Sequence, residues 1–208
     1  MKAILIDSIM NNIVKYYSYS EFELNKIRYG IETLYMTITK GIVITFIAAL
    51  LAILKEYLLF LIFYSIIRIP AFGAHAKKSI HCWMSSIVTF LLIPILIKYV
   101  SLDKNVILLI CFVSILIFCI YAPADTEKRP LNNRKKRIIN KVITLFISYI
   151  YLFYIILVDN PYFHNVLMYS LFLEALLVLP ITYKLFGIKY KNYKNYVKGG
   201  LKWNYLLL

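Results

Sequence analysis

The sequence predicts an all-α polytopic membrane protein: about six transmembrane helices, preceded by amphipathic N-terminal helices on the cytoplasmic surface. Three observations lead there. The 208-residue chain is 62% hydrophobic with a net charge of +14 and a mean hydropathy of +0.73, outside the usual range of a soluble globular domain. Its apolar residues gather in windows near 38–54, 57–70, 80–99, 106–122, 142–158 and 162–183, approaching the roughly 20 residues that cross a bilayer core about 30 Å thick. With six spans, 21 of the 24 Lys and Arg fall on one side, leaving only Lys55, Lys98 and Lys104 opposite.

From the N-terminus, the first stretch lacks a sustained apolar core and a small-residue cleavage site, so it is expected to be retained rather than removed as a signal peptide. Ile6, Ile9, Met10, Ile13 and Tyr17 recur at helical spacing. A second amphipathic helix is expected from Ser20, which forms a capping box with Glu23, through Leu24, Ile27, Ile31 and Leu34. Residues 1–36 are thus read as a surface-lying region and 37–208 as a single transmembrane domain. The second span is the weakest, because its apolar run from Tyr57 meets Arg68; four full spans with irregular pieces is the alternative. Pro94 and Pro180 are expected to kink spans three and six and Pro123 to end span four. Many of the 19 tyrosines fall near span ends, where aromatic rings anchor at the interface.

By the positive-inside rule, the basic loops and both termini face the cytoplasm. The basic residues hug membrane ends and carry no nucleic-acid motif, so no nucleic-acid partner is expected. Cys111 and Cys119 lie inside the fourth span as small hydrophobes. No metal and no cofactor is expected.

The stretch SIIRIPAFGAHAKKSIHCWM, residues 65–84, concentrates the reactive side chains. A cysteine nucleophile needs a base or a lowered pKa to present thiolate, and histidine is the natural partner. His75 and Cys82 are seven residues apart, about 10 Å along an unbroken helix and beyond the roughly 3 Å of an acid–base contact. Pairing them therefore requires a break, for which Pro70 and Gly73 are suited. Ser79 is a plausible N-cap, which would place Cys82 third in the next helix, where the positive helix end favours thiolate. His81 is the competing base, but adjacent helical residues do not face each other. Arg68 either snorkels to the headgroups or serves a site, as an oxyanion donor or a grip on a substrate carboxylate. The whole stretch also admits the plainer reading of a polar cytoplasmic loop with a cysteine at its rim.

These residues resemble the accessory gene regulator protein B (AgrB) family, the membrane endopeptidases of Gram-positive peptide quorum sensing. The likeness rests on Arg68, then Gly73-Ala74-His75-Ala76, then Cys82, and later Tyr121-Ala122-Pro123-Ala124-Asp125-Thr126 leading to Arg129-Pro130 and a basic loop. Phe72 stands where many members have a second glycine. The resemblance implies a cysteine endopeptidase that removes the C-terminal tail of an AgrD-type propeptide and cyclises it to a thiolactone or lactone. It implies Cys82 and His75 as catalytic residues, Arg68 and Gly73 as further required positions, and a homodimer in the lipid bilayer.

Asp125 is a candidate to orient His75. The run Asn132 to Arg137 reads most simply as an orientation signal contacting anionic lipid, or alternatively as an attractor of an acidic propeptide tail through Arg134, Lys135, Lys136 and Arg137. Glu174, deep in the sixth span, is expected to bond a Tyr or Thr of a neighbouring helix or subunit, although an intramembrane carboxylate is also a functional candidate. On it would rest the rival reading, a small transporter or export subunit for a peptide or lipid; a structural membrane partner without catalysis is a third.

Overall fold

The computed structural model describes residues 2–74, 79–126 and 131–192. Eight helices are defined among them: α1 (Lys2–Tyr16), α2 (Glu21–Leu50), α3 (Leu54–Ala71), α4 (Ser79–Tyr99), α5 (Lys104–Tyr121), α6 (Arg134–Leu157), α7 (Pro161–Val178) and α8 (Pro180–Leu185). The protein is an all-α membrane protein. Four of its helices, α2, α4, α5 and α6, are long and apolar enough to cross a bilayer. The windows read as spans two and six coincide with α3 and α7, which are more polar because they carry Lys55, Glu56 and Arg68, and His164, Asn165 and Glu174.

Two compact units divide the chain, Met1–Leu50 and Leu51–Leu208. In the first, α1 packs on α2, and Arg28 Nη2 meets Asp7 Oδ1 at 2.6 Å. The expected capping box is present: Ser20 N donates to Glu23 Oε2 at 2.9 Å, and Glu23 N to Ser20 Oγ at 3.4 Å. The helix it starts continues unbroken to Leu50. The segment expected to lie on the surface is therefore continuous with the first span, and the 36/37 boundary falls inside α2.

In the second unit α7 is the axis, packed against α3, α4, α5 and α6. It is buried on nearly all sides, from His164 to Leu171 and again at Glu174, Ala175 and Val178. Helix α3 buries one stripe, Glu56, Tyr57, Phe60, Tyr64, Ile67 and Ala71, whose three- and four-residue steps are those of a single helix face. Phe60, Tyr64 and Phe90 meet ring to ring. Helix α6 buries only Thr144, Ser148, Tyr151 and Ile155; its outer face, including Phe146 and Phe153, is exposed, as a surface against lipid tails requires.

Prolines act differently from the sequence reading at two points. Pro70 lies inside α3, which runs on to Ala71; the chain leaves the helix at Phe72 (φ +64°) and Gly73 (φ +105°). Pro180 divides the expected sixth span rather than kinking it. Leu179, held extended before the proline, separates α7 from α8. Pro123 follows the end of α5, as expected, with a cis Ala122–Pro123 bond.

Candidate active site

At one end of the second unit the C-termini of α3, α5 and α7 are tied together through backbone groups. Gly73 N donates to Ala124 O at 2.8 Å, Ala124 N to Ala71 O at 3.0 Å, and Ala74 N to Leu177 O at 2.8 Å. Phe72 and Ala124 form an isolated parallel bridge. The buried Tyr183 hydroxyl adds a bond to Ala124 O at 2.7 Å. Buried backbone groups must find partners, and here two loops and a helix end supply them to one another.

Beneath this backbone network lies a buried ion pair. Arg68 Nη1 donates to both carboxylate oxygens of Glu174 at 3.2 Å. Its Nη2 donates to Gly73 O at 3.3 Å and Ala74 O at 2.9 Å. The Glu174 side chain is 0% exposed and that of Arg68 15%, so Arg68 is turned mostly inward. Tyr64 also hydrogen-bonds to Glu174, which gives the carboxylate the neighbouring-helix tyrosine expected for it beside its principal partner, Arg68. A buried carboxylate is tolerable only when paired and hydrogen-bonded, and the guanidinium fork meets that need while serving two carbonyls.

Gly73 is required by this geometry twice over. Its positive φ is one that residues with a side chain rarely adopt. A Cβ there would collide with Arg68 Nη1 and lie 3.1 Å from Glu174 Oε1 and 3.2 Å from Leu177 O.

Cys82 falls in the first turn of α4, which begins at Ser79, so the helix starts one residue earlier than expected and Cys82 is its fourth residue. Cys82 is partly exposed, and its carbonyl accepts bonds from Ser86 Oγ at 2.7 Å and Ser85 Oγ at 3.2 Å. His75 lies outside the described residues, and so does its expected pairing with Cys82. Its immediate predecessor Ala74 is buried and held at both N–H and C=O. Cys111 is buried within α5 and Cys119 partly so.

Asp125 follows Ala124 and is itself buried. Its Oδ2 accepts from Leu131 N at 3.4 Å and its Oδ1 from Asn192 N at 3.1 Å, which ties the α5–α6 connection to the segment after α8. The basic run is helical rather than loop. Asn133 caps α6, its side chain accepting from Lys135 N and Lys136 N, and Arg134 to Arg137 form the first turn. Four cations at a helix N-terminus oppose the helix dipole, at about 0.3–1 kcal/mol each when exposed. Helix stability therefore does not account for their placement. An open cleft of about 480 Å³ lies beside them, lined by Ile69, Phe72, Leu131, Asn133, Lys136 and Asn140 among others.

The fold and this end of the bundle define an all-helical membrane protein with a partly exposed cysteine at a helix start and, eight residues before it, a backbone held by a buried arginine–glutamate pair. The profile of the family described as Accessory gene regulator B matches residues 6–178, and the chain belongs to that family. It is 33% identical to Accessory gene regulator protein B of Staphylococcus epidermidis over 76% of this chain and 80% of the relative. It is 29% identical to a protein named Putative AgrB-like protein in Clostridium acetobutylicum, over 91% and 90% of the two chains. A further relative, Accessory gene regulator protein B of Staphylococcus aureus strain MW2, is 29% identical over 86% and 94%. No solved structure gives a significant match.

Proposed function

We propose that the protein is a membrane cysteine endopeptidase of accessory gene regulator quorum sensing, acting on an AgrD-type propeptide. The observation that carries this is the placement of Cys82 in the first turn of α4, after the chain has left α3 at Phe72 and Gly73. The Cys82 thiolate attacks the peptide carbonyl carbon before the C-terminal tail. The C–N bond then breaks, and the His75 imidazolium gives its proton to the departing amine, leaving a thioester on Cys82. A thiol or hydroxyl within the retained segment attacks that thioester, closes a thiolactone or lactone and regenerates the Cys82 thiol. Exclusion of water protects the thioester, and no ATP is needed because the thioester keeps the acyl group activated.

In this reading the site faces the cytoplasm, with both termini on that side, and α3 and α7 cross the bilayer with the other four long helices. The first turn of α6, Arg134 to Arg137, and the adjoining cleft receive the acidic tail; the cations that oppose the helix dipole suit an anionic ligand. Asp125 orients His75. A homodimer is the assembly the family resemblance implies. Arg68 is read as acting on the loop rather than on the oxyanion, because its described bonds go to Glu174 and two carbonyls.

The transporter alternative rested on Glu174 as a substrate or ion group, and the pairing with Arg68 favours the peptidase. The test is co-expression of a short propeptide with the wild-type chain and with Cys82→Ala and His75→Ala. Cleavage and an acyl-enzyme adduct are followed by mass spectrometry. Both variants should lose cleavage, and undiminished cleavage by Cys82→Ala would overturn the peptidase reading.

A further inference from the structure

The carboxylate at position 174 is 106 residues from the arginine it holds, on a helix that contributes no residue to the proposed reaction. Its effect on the site runs through three short links. Glu174 fixes Arg68 Nη1; Arg68 Nη2 fixes the carbonyls of Gly73 and Ala74; Ala74 is joined to His75 by a peptide bond. The same helix takes the Ala74 N–H at Leu177 O, so α7 holds the residue before His75 both directly and through Arg68. The absence of room for a Cβ at Gly73 shows how closely these parts meet.

We propose that Glu174 is a positioning residue for the cleavage reaction: through Arg68 it fixes the backbone of Gly73 and Ala74, and with it the point from which His75 reaches Cys82. This rests on the reading of Cys82 and His75 as nucleophile and base. Glu174 touches neither substrate nor reacting atoms. Arg68 and Tyr64 belong to the same device, Arg68 as the link to the loop and Tyr64 as a second bond on the carboxylate.

The experiment measures the rate at which iodoacetamide alkylates Cys82 as a function of pH. It uses the full-length protein in liposomes, in a Cys111→Ala, Cys119→Ala background. A thiolate paired with imidazolium reacts well below the pH at which an isolated thiol does. His75→Ala should slow alkylation about tenfold near pH 6, the change that one pK unit on the thiol produces. Glu174→Gln should shift the profile in the same direction, Tyr64→Phe by less, and Glu174→Asp should recover part of the wild-type limb. The double exchange Arg68→Glu, Glu174→Arg restores an ion pair but puts the guanidinium on the wrong helix for the two carbonyls. It should regain thermal stability over the single exchanges without regaining the alkylation profile.

Glu174→Gln and Tyr64→Phe proteins that melt earlier yet keep the wild-type profile, while His75→Ala shifts it, would reduce Glu174 to a structural role and overturn the proposal. A profile unmoved by His75→Ala would instead remove the nucleophile–base reading on which the proposal stands. Recovery of the profile by the double exchange would show that the ion pair alone, and not the bonds to Gly73 and Ala74, is what matters.

Discussion

The two ends of the second unit close their helices by different means. At the end away from Cys82, two helix starts use local caps, and the longer-range bonds are made by single side chains. Asp103 caps α5 and Asn160 caps α7 with their own side chains. His164 Nε2 lies 2.6 Å from Val158 O, and Asn165 Nδ2 donates to Val100 O at 2.8 Å. The ion pair there, Lys104 with Asp159, is 4.0 Å long and largely exposed. At the other end, most of the closing bonds join residues about 50 to 106 positions apart, and the ion pair is buried. Local caps end helices independently; the shared network makes the end of each helix depend on the others. The end proposed to carry the reaction is thus the end whose geometry is set cooperatively.

The largest blow to that contrast should come from Gly73→Ala. Backbone strain at a positive φ is worth about 1–3 kcal/mol, and the added methyl must also displace Arg68 from the loop carbonyls. Propeptide cleavage should be lost while the protein still inserts, with a clear drop in melting temperature in detergent. Retention of full activity would mean that the network tolerates an opening its geometry does not provide. Tyr183→Phe removes one buried hydroxyl bond to Ala124 O and should destabilise by about 1 kcal/mol, with a partial loss of cleavage. At the opposite end, Asp159→Asn removes an exposed pair of the kind worth at most about 1 kcal/mol, and neither melting nor cleavage should change measurably. An effect there as large as that of Tyr183→Phe would erase the distinction between the ends.

Much of the helix plan was legible because it depends on neighbours in sequence. The capping box of Ser20 and Glu23, the end of α5 before Pro123, and the start of α4 beside Ser79 all follow from short-range rules. The start of α6 was not, because a basic run reads as loop until the Asn133 cap is seen to extend the helix over Arg134 to Arg137. The unbroken α2 was hidden by a change from amphipathic to uniformly apolar pattern that periodicity treats as a boundary. Of the site, Cys82, His75, Arg68 and Gly73 stood out as residue types in a suggestive order. Glu174 also drew notice as a lone intramembrane carboxylate, yet nothing along the chain paired it with Arg68. An unexplained cation and an unexplained anion, both deep in apolar windows, were the signal that could have joined them.

The buried pair also orders events while the protein is being made. Arg68 leaves the ribosome more than a hundred residues before Glu174, so at first the arginine has no counter-charge. During that interval its side chain is best kept at the headgroups, where a long cation can reach water, with the following loop unanchored. Only when α7 inserts does the charge find its partner and the loop its support. A chain arrested before α7 would already contain Cys82 and His75 but lack the support for Gly73 and Ala74, so the proposed peptidase activity would arise at the completion of membrane insertion and not before.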